Sequence, residues 1–173
     1  GGGSGRGTCL LCDARRGSRG GSMKLLTRFS PANLKRHLGA RRRARSIGIR
    51  FDRYGTFQLP RTVRIGGRDI DLRSIPDLGA RADFIGIFLD DMYFIEHVPR
   101  AMPIRTIVDI GANQGFFLLY ARHAFPEATI HGYEPYRALR SVLEPNAAAV
   151  GAEVFFEAVG RDAGRVELEL FDS

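Results

Sequence analysis

An α/β fold built on a parallel, doubly wound sheet is what this sequence predicts, and three observations predict it. Two short β-branched runs, Thr106–Ile110 and Thr129–Tyr133, each lead into a stretch of helical periodicity, at 116–125 and 136–150. A third extended run follows at 153–159. The first strand ends in a glycine turn, Gly111 to Gly115, that feeds straight into its helix. The order β-α-β-α-β with short links implies parallel strands joined by right-handed crossovers.

Taken in order, each element has a local cause. Ser30 followed by Pro31 is a helix start, with the hydroxyl as cap and proline where its missing N–H is harmless. The helix that follows is strongly basic, carrying Arg41, Arg42, Arg43 and Arg45, which read as a solvated charge run. Residues 56–59 look extended. Val63 to Ile65 and Arg68 to Leu72 alternate around Gly66-Gly67, a β-hairpin signal. Residues 82–97 place Phe84, Ile87, Phe88, Met92 and Ile95 near helical spacing, with Asp90 and Asp91 on the other side, which predicts one continuous helix. Pro126 stops the helix at 116–125, and Pro145 kinks or shortens the one at 136–150. Residues 164–171 alternate as a fourth, half-exposed strand.

The 173 residues, 44% hydrophobic and 26% charged, suit one globular domain with an appendage. The formal charge of +7 suggests an anionic partner until its distribution is read. Residues 1–50 hold 13 of the 26 Lys and Arg but one of the 19 acids, a local +12, which leaves 51–173 at −5. A nucleic-acid partner for the patterned region therefore loses its support. Residues 1–22 are a Gly/Arg/Ser-rich leader expected to be disordered, 23–50 a basic helix, 51–100 a hairpin and helix extension, and 101–173 a ligand-binding α/β part. Cys9 and Cys12 form a CxxC inside that leader without a second pair, so no metal site is assigned. The run Leu25-Leu26 is too short for a signal-peptide core and no segment approaches the roughly 18 apolar residues of a membrane span, so a cytoplasmic protein is expected.

The chemistry lies in Val108-Asp109-Ile110-Gly111-Ala112-Asn113-Gln114-Gly115. Ligands of doubly wound sheets bind beyond the carboxyl ends of the strands, where this turn sits. Gly111 lets ligand atoms approach the backbone, and Gly115 lets the turn pass close to the helix start. The dinucleotide fingerprint G-x-G-x-x-G would require Gly at 113 and Gly or Ala at 116, where this chain has Asn113 and Phe116. A pyrophosphate needs that glycine cradle, whereas S-adenosyl-L-methionine carries no phosphate and tolerates a side chain there. Asp109 fits as an acceptor for the methionine ammonium group. Glu134 closes the second strand, about 20 residues past the first glycine, where an acid accepts from a ribose.

VDIGANQGFFLLYARHAFP, IHGYEP and FFEAVGRDAG, together with the preceding FLDDMY, resemble the FkbM family of S-adenosylmethionine-dependent methyltransferases over residues 80–173. The resemblance implies a Rossmann-like class I methyltransferase fold acting on a hydroxyl of a sugar, lipid or polyketide-like small molecule. It also implies that Asp109, Gly111, Ala112, Asn113 and Gly115 surround the methionine part, Glu134 holds the ribose, and the backbone near Ala158 meets the adenine. Tyr93 would close the methionine side, with a core tyrosine as the alternative. Family members continue into a strand resembling K-x-D-x-E-G. The expectation is thus an enzyme truncated at its C-terminus, holding the N-terminal half of the sheet, with the strand ending at Asp109 left as an open edge. No catalytic base emerges, since His97, His123 and His131 have no partner identifiable from sequence. Two other functions fit parts of the pattern. One is a non-catalytic binding module that uses the basic leader, and the other a nicotinamide-dependent oxidoreductase, which Asn113 weakens.

Overall fold

Ser30 caps the first helix: its Oγ accepts a hydrogen bond from the Asn33 amide at 3.2 Å, and Pro31 takes the first position of α1, Pro31–Ser46. The computed structural model describes residues 30–76, 78–99, 101–162, 164, 165 and 167. The leader with Cys9 and Cys12, and most of the strand expected at 164–171, lie outside the described residues. One unit of the chain ends at Leu34, so that α1 opens in it, and the compact unit from Lys35 onward carries everything below.

The arginines of α1 turn to carboxylates of this same unit. Arg36 pairs with Asp90, and Arg42 and Arg43 share Glu96 at 2.7 and 2.8 Å. The half-buried Arg43 also donates to the Leu89 carbonyl at 2.8 Å, while Arg41 faces Asp52 at 3.6 Å. Much of the positive charge on α1 is therefore matched internally. The hairpin is β1, Thr62–Ile65, antiparallel to β2, Arg68–Asp71, with Val63 opposite Ile70. Gly66 and Gly67 both have positive φ, at 56° and 79°, which a two-residue type I′ turn requires and glycine adopts freely. Before it, residues 54–56 form a single 3-10 turn rather than the start of an extended run, and Phe57 drops into the core.

The continuous helix expected at 82–97 does not form. An α-helix, α2, spans Leu78–Phe84, continues as a π-helical turn over Ile85–Leu89, and ends there. The cause is Asp91, expected on the solvent side but buried. At a φ of 52° it turns inward, and its carboxylate accepts from the Ile95 and Glu96 amides at 2.9 and 3.0 Å and from the Tyr120 hydroxyl at 3.1 Å. Those bonds satisfy two backbone amides of a short 3-10 turn at Ile95–His97. Met92, expected on the apolar face, is 53% exposed in consequence.

The sheet has the order β3-β4-β5, all parallel: β3 is Thr106–Ile110, β4 Thr129–Tyr133 and β5 Glu153–Phe155. Two helices complete it, α3 at Phe116–Ala124 and α4 at Arg140–Ala149, the latter containing Pro145 without being stopped by it. The third strand ends at Phe155, short of the expected 159. Ile107, Ile130 and Val154 share one face and pack with Leu118, Ala121, Leu143 and Ala147 of the helices. The opposite face carries Val108 and Ile110, 53% and 65% exposed, and Tyr133 stacked on Phe155. Among the described residues β3 pairs with β4 alone, so its other edge is open. This mixed α/β layout with a parallel three-stranded sheet is compatible with a Rossmann-like fold.

A second core joins α1, the hairpin and α2 to the far side of α3, where Phe116, Leu119 and Tyr120 are buried. Aromatic rings run through it: Phe57 stacks on Phe84, Phe84 on Phe88, and these two meet Phe116 and Tyr120 edge-on at 5.9 and 5.3 Å. Such offset and edge-to-face contacts add to the area each ring removes from water. Among the described residues no helix is long and apolar enough to cross a membrane.

Candidate functional site

At the carboxyl end of β3 the chain reverses through the glycine turn. The Gly111 and Ala112 amides both donate to the Tyr133 carbonyl, at 2.8 and 2.9 Å, which closes the turn against the end of β4. Gly111 and Gly115 have φ of 84° and 82°, and Asn113 between them is also left-handed at 48°. Asn accepts that region more readily than most side chains, which suits the position. The two glycines differ in surroundings. A Cβ on Gly111 would meet nothing within 4 Å, while one on Gly115 would lie 3.0 Å from Leu143 Cδ1 and 3.4 Å from Asn146 Cβ. Gly111 thus leaves room on the open side of the turn, and Gly115 lets α4 close in behind it.

Glu134 is 7% exposed and directs both oxygens at backbone: Oε2 accepts from the Asn113 amide and Oε1 from the Tyr136 amide, each at 2.8 Å. It therefore ties the turn to the chain leaving β4, with each oxygen retaining a second acceptor direction. Gln114, which sequence reasoning did not single out, accepts from the Ile75 amide at 2.8 Å. Asn146, fully buried, donates to the carbonyls of Gln114 and Arg73, both at 2.7 Å, and accepts from the Arg73 amide at 3.0 Å. These bonds fasten the turn to the segment that follows the hairpin.

Asp109, Gly111, Ala112 and Asn113 line one cavity of about 140 Å³, with Asp83, Met92, Tyr93 and Phe117 around it. Gly115 lies behind the turn, packed on α4, and Glu134 beneath it; neither lines this cavity. Ala158 is exposed, beyond the end of β5, and is not brought to it. Tyr93 stands at the mouth, 52% exposed and edge-on to Phe117 at 4.8 Å. Asp83 was not legible as a site residue because it lies about 30 residues upstream in a helix.

The electrostatics of the cavity are acidic. Asp109 Oδ2 is buried and accepts no hydrogen bond among the described residues. Burial, and then the charge of Glu134, push the Asp109 carboxyl up to about 6. The Tyr93 phenol is raised as well, by burial and then by Asp109 and Asp83. None of His97, His123 and His131 lines the cavity. His131 Nδ1 lies 3.2 Å from Glu153 Oε2 without hydrogen-bond geometry, His97 sits against Phe94, and burial lowers His123. Among the described residues no group of three or more His, Cys, Asp or Glu could hold a metal ion.

Comparison with known proteins adds a second line. No family model matches the chain. It is 33% identical over 102 residues to methyltransferase sdnD of Sordaria araneosa, covering 57% of this chain and 38% of that protein. It is 36% identical over 61 residues to the 31-O-demethyl-FK506 methyltransferase FkbM of Streptomyces tacrolimicus, covering 35% and 23%. A third similarity, 33% over 82 residues, is to the AMB antimetabolite synthetase AmbE of Pseudomonas aeruginosa, covering 47% of this chain and 4% of that protein. The chain spans well under half the length of each of these relatives. Two of the three are named methyltransferases, and the similarity to them supports methyltransferase chemistry in general terms.

Proposed function

We propose that this chain carries the S-adenosyl-L-methionine site of an FkbM-type class I methyltransferase that modifies a hydroxyl on a sugar, lipid or polyketide-like small molecule. Residues 101–173 would form the donor-binding part, with 51–100 packed on it as an extension. One observation carries the reading: Asp109, whose Oδ2 is buried without a hydrogen-bond partner among the described residues, lines a cavity together with Gly111, where a Cβ would meet nothing within 4 Å. An unpaired buried acid is unfavourable and is relieved by a cationic ligand. The donor's ammonium group supplies that cation. The cavity is smaller than the roughly 300–1,000 Å³ of a complete small-molecule site, which suits one end of a ligand whose nucleoside continues past the turn toward Glu134.

When bound, S-adenosyl-L-methionine supplies a methyl group on a positively charged sulfur, which becomes a neutral thioether as the acceptor oxygen takes the methyl and releases its proton. Alignment is the main requirement for such a displacement. In this reading Asp109 fixes the amino-acid end, the left-handed turn at 111–115 keeps backbone atoms out of its way, Glu134 accepts from the ribose, and Tyr93 with Phe117 shields the mouth. The backbone near Ala158 is proposed to reach the adenine.

Calorimetry with S-adenosylhomocysteine, against NADH as the rival ligand, tests this. Binding of the former and not the latter is expected; the reverse would establish nicotinamide chemistry instead. The pH dependence adds a second check. Only ionised Asp109 pairs with an ammonium, so affinity should be level above pH 6 and fall by up to about tenfold per unit below it. A flat profile from pH 5 to 8 would remove Asp109 from the ligand.

A further inference from the structure

Taking the donor site as the ligand-binding site, we infer that Asp83, from the helix upstream of the sheet, is a positioning residue that locks the ligand-facing turn by holding the Asn113 side chain. Asn113 is the one left-handed residue of the turn that carries a side chain, and it is exposed. It is held at two points. Glu134 accepts from its backbone amide at 2.8 Å, and Asp83 Oδ2 accepts from its Nδ2 at 3.1 Å. The first bond fixes where the backbone lies. The second fixes the rotation of the residue, because an exposed amide side chain would otherwise sample several rotamers and release the turn with them.

Asp83 can serve as an anchor because its own backbone is immobilised. The next residue, Phe84, is fully buried, stacked on Phe57 and Phe88 and edge-on to Phe116. Phe116 is the first residue of α3, directly after Gly115, so the helix bearing Asp83 and the helix opened by the turn are locked together by a ring contact. Asp83 also lines the cavity beside Asp109 and Asn113. An acid there faces the cavity and the turn at once.

The test is a double-mutant cycle with Asp83→Ala, Asp83→Asn, Asn113→Ala and the combined Asp83→Ala/Asn113→Ala protein. S-adenosylhomocysteine affinity and amide hydrogen exchange of residues 111–115 without ligand are the two readouts. Asp83→Ala should weaken binding and raise exchange in the turn, each by about tenfold, while protection elsewhere stays within about twofold. Asp83→Asn keeps an acceptor oxygen for Asn113 and should restore both readouts to within about threefold of the parent. In the Asn113→Ala background, Asp83→Ala should add less than about twofold. Additive losses, or an Asp83→Asn protein as impaired as Asp83→Ala, would overturn the inference. The exchange measurement needs no ligand, so a parent protein that fails to bind S-adenosylhomocysteine would overturn the donor-site reading while the lock is still decided by exchange.

Discussion

Replacing Asp109 by Asn is expected to weaken S-adenosylhomocysteine binding by about 10- to 100-fold while making the ligand-free protein more stable at neutral pH. The loss follows from the interaction removed: a charge-assisted hydrogen bond in a half-buried site contributes about 1.5–3 kcal/mol. The gain follows from the raised carboxyl. In the folded chain Asp109 titrates near 6, against about 3.9 in an unfolded one. An acid raised on folding binds its proton more tightly in the native state. Its contribution is therefore fully favourable below about pH 4 and is lost as pH rises through about 6. At pH 7 the native state holds an ionised, partly desolvated acid with one oxygen unpartnered. Asparagine removes that charge at nearly constant shape, and about 1–2 kcal/mol of stability should return. Thermal melts at pH 7 and pH 4 check the sign, because the advantage over the parent should shrink at the acid end. A variant that melted earlier at pH 7 and bound as before would identify Asp109 as a structural group whose partner is its own chain.

Gly115→Val should cost about 3 kcal/mol or more, read as a shift in the denaturant midpoint. A β-branched side chain at a φ of 82° is strained on its own. Its Cβ would also lie 3.0 Å from Leu143 Cδ1, in a core where Leu143 is fully buried and Asn146 is bonded on three sides, so neither can yield cheaply. Gly111→Ala provides the contrast. Its φ is nearly the same, 84°, but its Cβ would enter open space, so about 1 kcal/mol of backbone strain is expected. The larger effect of that change should appear in ligand affinity. If both variants melted alike and bound alike, the division of labour between the two glycines would be wrong.

How much of this was readable in the sequence follows from how local each cause is. Strands β3 and β4, and the turn between β3 and α3, were legible to the residue because short extended runs closed by Gly111 in one case and by Glu134-Pro135 in the other carry their own conformational instructions. The hairpin was legible for the same reason. Residues 82–97 were misread because what ends α2 is not in its neighbourhood of the chain: Asp91 turns inward to meet Tyr120, 29 positions on, and a carboxylate that looks solvent-facing by periodicity becomes a buried cap. In the site, Asp109, Gly111, Ala112 and Asn113 stood together in sequence and stand together in space. Spacing suggested Glu134 as a ribose acceptor but could not reveal what the structure shows, that its two oxygens hold the Asn113 and Tyr136 amides. Gln114, Asn146 and Asp83 were invisible, since each acts through a partner 30 or more residues away.

The rings that pass from Phe57 through Phe84 and Phe88 to Phe116 and Tyr120 set a rule for anyone shortening the chain. The break in pattern near residue 100 invites a cut that keeps 101–173 alone. Such a piece would surface Phe116, Leu119 and Tyr120 together on one side of α3, an adhesive stripe that precipitates or captures whatever apolar surface is nearby. It would also lose Arg73 and Ile75, which the amides Asn146 and Gln114 grip from below the turn. The upstream segment is in this sense the mould in which the glycine turn is cast, and the two are expected to be handled, purified and unfolded as one object.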